Sequence, residues 1–484
     1  MQQASGEAVR LVLDGEVVEA AGVLPTTTVL DYLRGRGLCG VKEGCAEGDC
    51  GACMVAVGEL DGERIRWEAV NACIRYLPTL DGKAVRTVHG LAGADGALHP
   101  VQQAVVDAHA SQCGFCTPGF VMSLFALHAD CAGRPATRDE VVAALSGNLC
   151  RCTGYRPLIA AGLAMHVPAR PVDDSGLATQ LRALQRDAAL RLPGFHAPRS
   201  AQAFAAALED DPDALLLAGG TDIGLWTTKQ LRELPSILYL GEVAEFHAIV
   251  RDADGLTIGA AVTLERAFRA LVDAYPALDE LHRRFASRPV RNSGTLCGNV
   301  ANGSPIGDSM PALMALGARV RLRKGATRRE LALDDFYLGY QKRDLARGEF
   351  VDAICVPLPS PGLRFATYKV SKRFDQDISA VCMAIAVQTE YGTIRSARIA
   401  YGGMAATPAR AARAEAALVG QPDRADSYER AAIAVQDDFL PLTDMRASAA
   451  YRRALAANLL RRFAQAAPGD IAYDVRRIGA VEAA

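Results

Sequence analysis

Apolar and polar residues alternate along the first part of the chain, a pattern that is typical of strands. Residues 8–20, VRLVLDGEVVEAA, alternate on either side of Asp14 and Gly15, and an Asp-Gly pair favours the tight turn of a two-stranded hairpin. The next stretch, VLDYLRGRG, predicts a short helix that Thr27 caps and glycines end. Residues 40–57, GVKEGCAEGDCGACMVAV, predict a glycine-rich loop that runs into an apolar strand.

From about residue 85 the apolar residues recur at helical intervals. HPVQQAVVDAHASQ and RDEVVAALSG predict two helices, and TPGFVMSLFALHAD predicts a third with Thr117 as its cap and Pro118 at its first helical position. Residues 165–195 carry prolines, charge and little patterned hydrophobicity, which predicts a linker between domains. Near the C-terminus, SAVCMAIAVQTE and IRSARIAYGGM predict strands, and alanine-rich helices follow them.

Eight of the 13 cysteines fall into two quartets, each of which has the spacing of a 2Fe-2S ligand set. The first quartet is Cys45, Cys50, Cys53 and Cys73. Its Cys-x4-Cys-x2-Cys core follows a hairpin and a helix, the order found in plant-type ferredoxins. Glycines in the loop permit positive φ and turn backbone N–H groups toward sulfur.

The second quartet lies in two predicted turns between helices. Its members are Cys113, Cys116, Cys150 and Cys152. Four thiolates from two loops are also a ligand set for zinc, so zinc is an alternative at this quartet. A cluster domain directly upstream favours a second 2Fe-2S cluster, because a second carrier extends an electron path. The other five cysteines, Cys39, Cys131, Cys297, Cys355 and Cys382, have no ligand spacing and are interpreted as ordinary thiols, Cys39 near the first cluster.

Composition narrows the class of protein. The 484 residues predict three or four domains, and 53 basic against 55 acidic residues leave a net charge of −2, which favours neither nucleic acid nor an anionic membrane as a partner. The N-terminus has no signal-peptide pattern, and no apolar run is long enough for a membrane helix. We therefore expect a cytoplasmic protein, in which thiols stay reduced and clustered cysteines bind metal.

Two glycine-rich stretches predict a cradle for a long cofactor. Residues 213–226, DALLLAGGTDIGLW, are a strand that breaks into glycines, and residues 284–318 are rich in Gly, Ser, Asn and Asp before an apolar helix. A turn and a long surface loop are the plainer interpretations of the two stretches. Because 2Fe-2S clusters carry one electron and NAD accepts two, an FAD that converts between them is the natural third carrier.

These motifs together resemble those of the molybdenum hydroxylase family. The matching stretches are GVKEGCAEGDCGAC, QCGFCTPG, GNLCRCTGYRP, LAGGTDIG and the run from GTLCGN to SPIGD. Within that family, the chain resembles the small, iron-sulfur and FAD-carrying subunits of two-subunit bacterial xanthine dehydrogenases. The resemblance implies a multidomain α+β fold with a plant-type ferredoxin (β-grasp) domain at 1–84, an all-helical 2Fe-2S domain at 85–165, a linker at 166–195, an α/β FAD-binding domain at 196–361 and an α+β flavoprotein domain at 362–484.

The resemblance also implies which residues contact FAD. They are Leu217, Ala218, Gly219, Gly220, Thr221, Asp222, Ile223, Gly224, Phe285, Gly294, Thr295, Gly298, Asn299, Asp308 and Lys369, with Val351 near the isoalloxazine. Taken as an isolated residue, Lys369 is better interpreted as a solvated surface lysine. Tyr340 matches a position near the nicotinamide, or is a core tyrosine at a strand end. Cys297 departs from the family, in which glycine is common there, and its side chain would crowd the flavin unless it points away.

The family implies a direction of electron flow. A molybdenum cofactor in a separate large subunit oxidises hypoxanthine or xanthine to urate, and electrons pass through the helical-domain cluster, the plant-type cluster and FAD to NAD. No catalytic residue for purine oxidation is expected in this chain, and a heterotetramer of two small and two large subunits is implied. Alternatives are the equivalent component for an aldehyde, an N-heterocycle or an aryl-CoA, and a zinc-binding scaffold that has lost its flavin.

Overall fold

The computed structural model describes residues 8–93, 95–166 and 175–465, which form four packed units in chain order. We call them the N-terminal unit (residues 8–91), the helical unit (99–184), the central unit (190–358) and the C-terminal unit (363–465). Four clusters of buried apolar side chains form the cores, and three of these clusters continue across a boundary between units. The mixture of helix and sheet confirms the multidomain α+β class.

The N-terminal unit is a five-stranded sheet with one helix across it, which is the β-grasp arrangement predicted for this part. Its strand order is β2-β1-β5-β3-β4. The predicted hairpin is confirmed, and both turn residues, Asp14 and Gly15, have positive φ, as a type I′ turn requires. The elements are β1 (Val9–Leu13), β2 (Glu16–Ala20), α1 (Val29–Gly35), β3 (Met54–Asp61), β4 (Arg64–Asn71) and β5 (Ala84–Arg86), with short 3-10 helices at Leu77–Leu80 and His89–Leu91.

The cap of α1 differs from the prediction by one residue. Thr28, and not Thr27, accepts a hydrogen bond from the backbone N–H of Asp31 at 3.0 Å. Thr27 instead donates its own N–H to the carbonyl of Leu24 in the preceding turn. Three adjacent threonines, at 26–28, offer the same side chain, so the turn before the helix decides which of them is the cap.

Short helices make up the helical unit. They are α2 (Pro100–Asp107), α3 (Thr117–Cys131), α4 (Arg138–Ala144), α5 (Arg156–Ala164) and α6 (Ser175–Leu184). The three predicted helices are confirmed as α2, α3 and α4. The predicted cap of α3 is wrong: Thr117 is already inside the helix, Cys116 occupies the cap position, and the Thr117 hydroxyl bonds to the Ser111 hydroxyl at 2.8 Å.

The stretch interpreted as a linker, 166–195, contains packed structure in its described part. Leu181 on α6 is fully buried and belongs to the core of the helical unit. The strand β6 (Leu190–Leu192) pairs with β7 (Phe195–Ala197) in a sheet of the central unit. The interpretation of little patterned hydrophobicity is therefore wrong for 175–192, because leucines spaced along α6 form a buried face; residues 167–174 lie outside the described residues.

Two sheets and a set of short helices form the bulk of the central unit. After β6 and β7 come α7 (Ala201–Asp210), β8 (Leu215–Leu217), α8 (Ile223–Thr228), β9 (Ile237–Tyr239), β10 (Ile249–Arg251), β11 (Leu256–Gly259), α9 (Leu264–Ala274), α10 (Asp279–Arg284), α11 (Arg288–Ser293), α12 (Leu296–Asn302), α13 (Ser309–Ala315), β12 (Arg319–Lys324), β13 (Thr327–Ala332), α14 (Leu333–Phe336), β14 (Tyr337–Gly339), β15 (Lys342–Arg343) and β16 (Phe350–Val356). The sheets have the orders β6-β7-β9-β8 and β10-β11-β16-β12-β13.

The glycine-rich stretch 284–318 is not a long open loop. Its polar residues fall into α11, α12 and the turns around them, and α13 is the predicted helix of small apolar residues. Thr295 caps α12 by accepting a hydrogen bond from the N–H of Gly298 at 3.0 Å. The stretch is therefore ordered by its own caps and helices.

The C-terminal unit packs a four-stranded sheet against helices. The predicted strands are confirmed as β18 and β19, which pair antiparallel. The elements are β17 (Leu363–Val370), β18 (Val381–Glu390), β19 (Thr393–Gly402), β20 (Ala409–Arg410), α15 (Ala412–Leu418), α16 (Ala425–Ala434) and α17 (Ala449–Gln465). In the described parts of the chain, no helix is long and apolar enough to cross a membrane.

Candidate functional site

The loop before β3 gathers the first cysteine quartet. The N–H groups of Glu47, Asp49 and Cys50 all point at the Cys45 sulfur, at 3.3–3.4 Å. The Cys45 thiol is in hydrogen-bonding contact with the thiols of Cys50 and Cys73, and these contacts lower its pKa. An N–H cage of this kind stabilises a thiolate, which is the form of cysteine that binds metal.

The remaining two cysteines of this quartet lie deeper. Cys53 and Cys73 are both buried, at the start of β3 and just after β4, and the contact of Cys53 with the Cys73 thiol lowers the pKa of Cys53. Gly48 and Gly51 have φ of +80° and +70°, so the loop turns where a side chain would be strained. The glycines thus do what the sequence predicted of them.

The second quartet lies at the surface of the helical unit. Cys113 and Cys152 are exposed, and Cys116 and Cys150 are half-buried. The Cys150 sulfur contacts the Thr153 hydroxyl at 3.1 Å and accepts a hydrogen bond from the Thr153 N–H at 3.4 Å. Burial raises the pKa of the Cys116 thiol to about 12, and its contact with Cys150 acts in the same direction.

The thiol contacts of this quartet run in pairs. Cys113 contacts Cys152, and Cys116 contacts Cys150. A two-iron cluster takes four cysteine thiolates divided between its irons, and paired sulfurs fit that arrangement. No group of three or more His, Cys, Asp or Glu side chains in the described ranges closes around a single ion.

The ligand loops of the two quartets touch directly. The N–H of Leu149, next to Cys150, donates to the carbonyl oxygen of Cys50 at 3.0 Å. A side chain at Gly51 would overlap the carbonyl of Gly147, so only glycine permits this approach. The Asn148 amide donates to the carbonyl of Gly51 at 3.4 Å. The two quartets are therefore joined by backbone contacts.

The other side of the first quartet touches the first glycine-rich stretch. Ile74, next to Cys73, packs so closely on Gly224 that a Cβ there would lie 2.6 Å from the Ile74 carbonyl oxygen. The Tyr76 hydroxyl bonds to the carbonyl of Ile223 at 3.1 Å and to the Thr227 hydroxyl at 2.9 Å. The cysteine loop and the stretch at 217–224 therefore form one continuous contact.

The first stretch lies between β8 and α8. Leu217 ends β8, Gly220 has φ of +72°, and Gly224 is buried in α8. Asp222 accepts a hydrogen bond from the Asn302 amide at 2.9 Å, and burial raises its pKa. The other predicted residues of this stretch, Ala218, Gly219, Thr221 and Ile223, occupy the turn and the first residue of the helix.

The second stretch lies directly beside the first. A Cβ at Gly219 would overlap the carbonyl of Ser293 and lie 2.5 Å from the Cα of Gly294. A Cβ at Gly298 would lie 2.7 Å from the Thr295 hydroxyl oxygen, and the Asn299 amide oxygen accepts from the Ser309 hydroxyl. The structure thus brings the two predicted stretches together into a single glycine-lined cradle.

Cys297 points away from this cradle. It is buried in the core of the central unit, with its sulfur 3.6 Å from the carbonyl of Ile258 on β11. The Cys297 side chain lies on the face of α12 that packs on the core. It therefore does not obstruct the cradle.

Lys369 forms a buried ion pair with Asp308. The Lys369 ammonium lies 2.6 Å from one carboxylate oxygen of Asp308, and the Ser379 hydroxyl donates to the other at 2.6 Å. The side chains of Lys369 and Asp308 are 3% and 6% exposed, so the interpretation of Lys369 as a solvated lysine is wrong. The pair ties the start of α13 to β17 of the C-terminal unit.

The remaining predicted residues have different surroundings. Phe285 is buried against Phe268, with ring centroids 5.3 Å apart, and Val351 is buried on β16 in the same core. Tyr340 is 61% exposed in the turn between β14 and β15, so the alternative that it is a core tyrosine is wrong. Its contact with a nicotinamide stays a prediction.

Sequence reasoning missed a buried arginine beside Phe285. Arg284 donates to the carbonyls of Lys369 and Phe374, at 2.8 and 2.9 Å, and so holds the end of β17 against α10. A charged residue in a run of arginines carries no signal of burial, and only the fold reveals this role.

Four family models match the chain in succession. They are a 2Fe-2S iron-sulfur cluster binding domain at 11–77, a [2Fe-2S] binding domain at 87–163, an FAD binding domain in molybdopterin dehydrogenase at 188–359 and a CO dehydrogenase flavoprotein C-terminal domain at 366–467. The chain belongs to the molybdenum hydroxylase family. It has the two 2Fe-2S domains and the FAD-binding domain of that family, which are electron-transfer domains.

Curated members of the family match almost the whole chain. Xanthine dehydrogenase of Drosophila pseudoobscura pseudoobscura is 32% identical over 95% of this chain, and xanthine dehydrogenase/oxidase of Gallus gallus is 29% identical over 86%. The alignments cover 39% and 37% of those proteins, so the chain spans about two fifths of the length of these relatives.

Solved structures of the family match a smaller part. A chain of carbon monoxide dehydrogenase from Hydrogenophaga pseudoflava, described as lacking the Mo-pyranopterin moiety of the molybdenum cofactor, is 30% identical with a TM-score of 0.52. A chain of quinoline 2-oxidoreductase from Pseudomonas putida 86 is 29% identical with a TM-score of 0.51. The matches cover 94% of each of those chains and 55–56% of this one.

Proposed function

We propose that this chain is the iron-sulfur and flavin component of an NAD-dependent xanthine dehydrogenase. A molybdenum cofactor in a partner chain would oxidise hypoxanthine and xanthine to urate. When bound, the two 2Fe-2S clusters carry single electrons and FAD passes electrons in pairs to NAD. The residues of this chain hold those groups in line.

The two quartets are the proposed cluster ligands: Cys45, Cys50, Cys53 and Cys73 for the first cluster, and Cys113, Cys116, Cys150 and Cys152 for the second. The N–H groups around Cys45 and Cys150 lower the energy of the thiolates, and sulfur hydrogen bonds of this kind tune cluster potentials. The cradle formed by 217–224 and 294–299 is the proposed site of the FAD pyrophosphate, because the turns of both stretches meet there and its threonines carry hydroxyl donors.

Two backbone contacts carry this proposal. Leu149 joins the second quartet to Cys50, and Ile74 joins Cys73 to Gly224 of the cradle. The second quartet, the first quartet and the cradle are therefore joined in that order by direct contacts. An electron path needs this order, and a zinc-binding scaffold does not.

The exposed end of the line is the proposed docking face for the partner chain. Cys113 and Cys152 are exposed, and Phe115 between the cysteines is 47% exposed. The matched relatives are more than twice the length of this chain, and we propose that the molybdenum-cofactor portion is a separate large subunit in a heterotetramer of two small and two large chains.

The share of this chain that each group of relatives matches favours xanthine as the substrate class. The curated xanthine dehydrogenases match both cluster domains and the flavin domains, over 95% of the chain in one case. The matched chains of the carbon monoxide and quinoline enzymes correspond to only 55–56% of it. A component for another substrate, such as an aldehyde, an N-heterocycle or an aryl-CoA, is the second candidate, and the likeness to the quinoline enzyme supports it.

Reconstitution with the co-purifying large chain tests the proposal. We expect xanthine-dependent reduction of NAD by the complex, and no activity with quinoline, an aldehyde or carbon monoxide. Activity with one of those substrates and none with xanthine would overturn the substrate. A complex that reduces an artificial acceptor but not NAD would overturn the acceptor alone.

A further inference from the structure

One short helix of the central unit contacts all three neighbouring sites. Helix α11 lies between the N-terminal unit, the helical unit and the cradle. At its end, the Asn292 amide donates to the carbonyl of Ala69 on β4 at 2.9 Å, and the Ser293 carbonyl packs on Gly219 of the cradle. At its start, Arg288 and Pro289 contact the segment before Cys150. A helix of six residues thus meets both cluster units and the flavin cradle.

Pro289 packs on the loop that leads to Cys150. A Cβ on Gly147 would overlap the Pro289 Cγ, and the Cδ of the ring would lie 2.6 Å from it. Gly147 has no positive φ, so its backbone does not require glycine, and the close approach alone does. The carbonyl group of Gly147 packs on Gly51 of the first quartet's loop. Gly147 is therefore held between the central and N-terminal units.

Arg288 adds two polar contacts to the helical unit, one of them to the same loop. Its N–H donates to the Ser146 hydroxyl at 3.2 Å, and its guanidinium pairs with Asp130 at the end of α3 at 3.0 Å. A cavity of about 210 Å³ adjoins these contacts, so the packing beside them is not continuous.

We propose that Arg288 and Pro289 are positioning residues that set the spacing of the two clusters. They press residues 146–149 against Cys50 and Gly51, and so fix the Leu149–Cys50 contact and the distance from Cys150 to the first quartet. This inference rests on the proposed cluster ligands. The FAD-binding domain would then control electron transfer between two clusters that it does not itself bind.

The test is a steric clash and its rescue in the full chain. Gly147→Ala introduces a methyl group against the Pro289 ring, and Pro289→Ala removes the ring atoms that it meets. With the full chain reduced by dithionite, we expect two 2Fe-2S signals whose mutual magnetic splitting is altered or lost in Gly147→Ala. The splitting should return in the Gly147→Ala/Pro289→Ala double variant.

A charge exchange provides the second arm. Arg288→Asp should alter the splitting, and Arg288→Asp/Asp130→Arg should restore it. Arg283→Ala is the matched control. Arg283 also faces the helical unit, but its guanidinium lies 3.6 Å from the Asp139 carboxylate, and the Asp139 side chain is 74% exposed. This pair should therefore contribute little to positioning. Iron content and the midpoint potential of each cluster should be unchanged throughout, which separates positioning from a loss of folding or of ligands.

Two results would overturn the inference. One is an unchanged splitting in both Gly147→Ala and Arg288→Asp, and the other is a change that neither double variant reverses. Failure of the proposed function is distinct, because the wild-type chain would then lack two 2Fe-2S signals before any substitution is made.

Discussion

The backbone N–H of Leu149 donates to the carbonyl oxygen of Cys50 at 3.0 Å, and this bond joins the loops of the two cysteine quartets. A backbone hydrogen bond of this kind uses main-chain atoms of both loops and no side-chain atom of Leu149 or Cys50. The order of the three sites is therefore built into the main chain, and replacing a single ligand cysteine is expected to affect only its own site.

Replacing one cysteine of the second quartet should remove only that cluster. In Cys150→Ser we expect loss of one of the two 2Fe-2S resonance signals and of xanthine-dependent NADH formation, while NADH still bleaches the flavin. Cys131→Ser is the control, because Cys131 is a buried cysteine of the same unit that lies outside the quartet. Disappearance of both signals from a folded Cys150→Ser chain would contradict the ligand assignment.

Gly224→Ala should loosen the contact between the first quartet and the cradle. The new methyl group would lie 2.6 Å from the Ile74 carbonyl and 2.8 Å from its Cβ, and overpacking of this kind costs about 1–3 kcal/mol. We expect a lower melting temperature and less bound FAD per chain. Gly35→Ala, at the end of α1, meets no atom within 4 Å and should lower neither quantity. Full flavin content in Gly224→Ala would argue against a cradle at this place.

The buried pair of Lys369 and Asp308 should be costly to break. Lys369→Met leaves the Asp308 carboxylate buried with only Ser379 as a partner, and losing one member of such a pair costs about 3–5 kcal/mol. Urea unfolding and flavin content measure the effect. In Arg347→Met, which removes an exposed pair with Asp213, we expect a loss of at most about 1 kcal/mol. Equal losses in the two variants would contradict the buried character of the first pair.

Three histidines predict that the helical unit loses stability in acid. Burial, the His128 imidazole and Arg86 lower the pKa of His99 to about 4, and burial also lowers the pKa values of His128 and His166. Because the unfolded chain takes up these protons first, the stabilisation is present above about pH 6.5 and is lost as the pH falls toward 4.

The His99→Asn variant isolates this effect. The His99 ring accepts the N–H of Val101 at the start of α2, and asparagine can cap a helix in the same way without titrating. We expect the melting temperature of the wild-type chain to fall more steeply than that of the variant between about pH 7 and pH 4.5. If the melting temperatures of the two chains changed in parallel with pH, the pKa of His99 would be the same in the folded and unfolded chain, which would contradict the prediction.

The sequence was sufficient where a feature is local. The Asp14-Gly15 hairpin, the helices that bracket the second quartet and the grouping of the cysteines all follow from patterns within a few residues. The caps at Thr28 and Cys116 were missed, because neighbouring residues offer similar groups and the preceding turn decides between them. The buried face of α6 was missed although Leu177, Leu181 and Leu184 recur at helical spacing, because the prolines and charges before them suggested a linker.

Contacts between distant parts of the chain were beyond sequence reasoning. Nothing in the residues around Gly147 indicates that Pro289 packs on it, and nothing around Ile74 indicates Gly224, since a glycine in a single sequence does not show whether it serves a turn or a close approach. The burial of Lys369 with Asp308 depends likewise on two units meeting. These are the contacts that turn separate motifs into one path.

The central claim is that two 2Fe-2S clusters and FAD follow one another in this chain. The most direct test is paramagnetic resonance of the purified, reduced full chain. Iron, zinc and flavin are measured in the same sample. The account predicts two distinct 2Fe-2S signals that split each other magnetically, two irons for each quartet, one FAD and no zinc. A single signal, or zinc in place of iron at the second quartet, would contradict it.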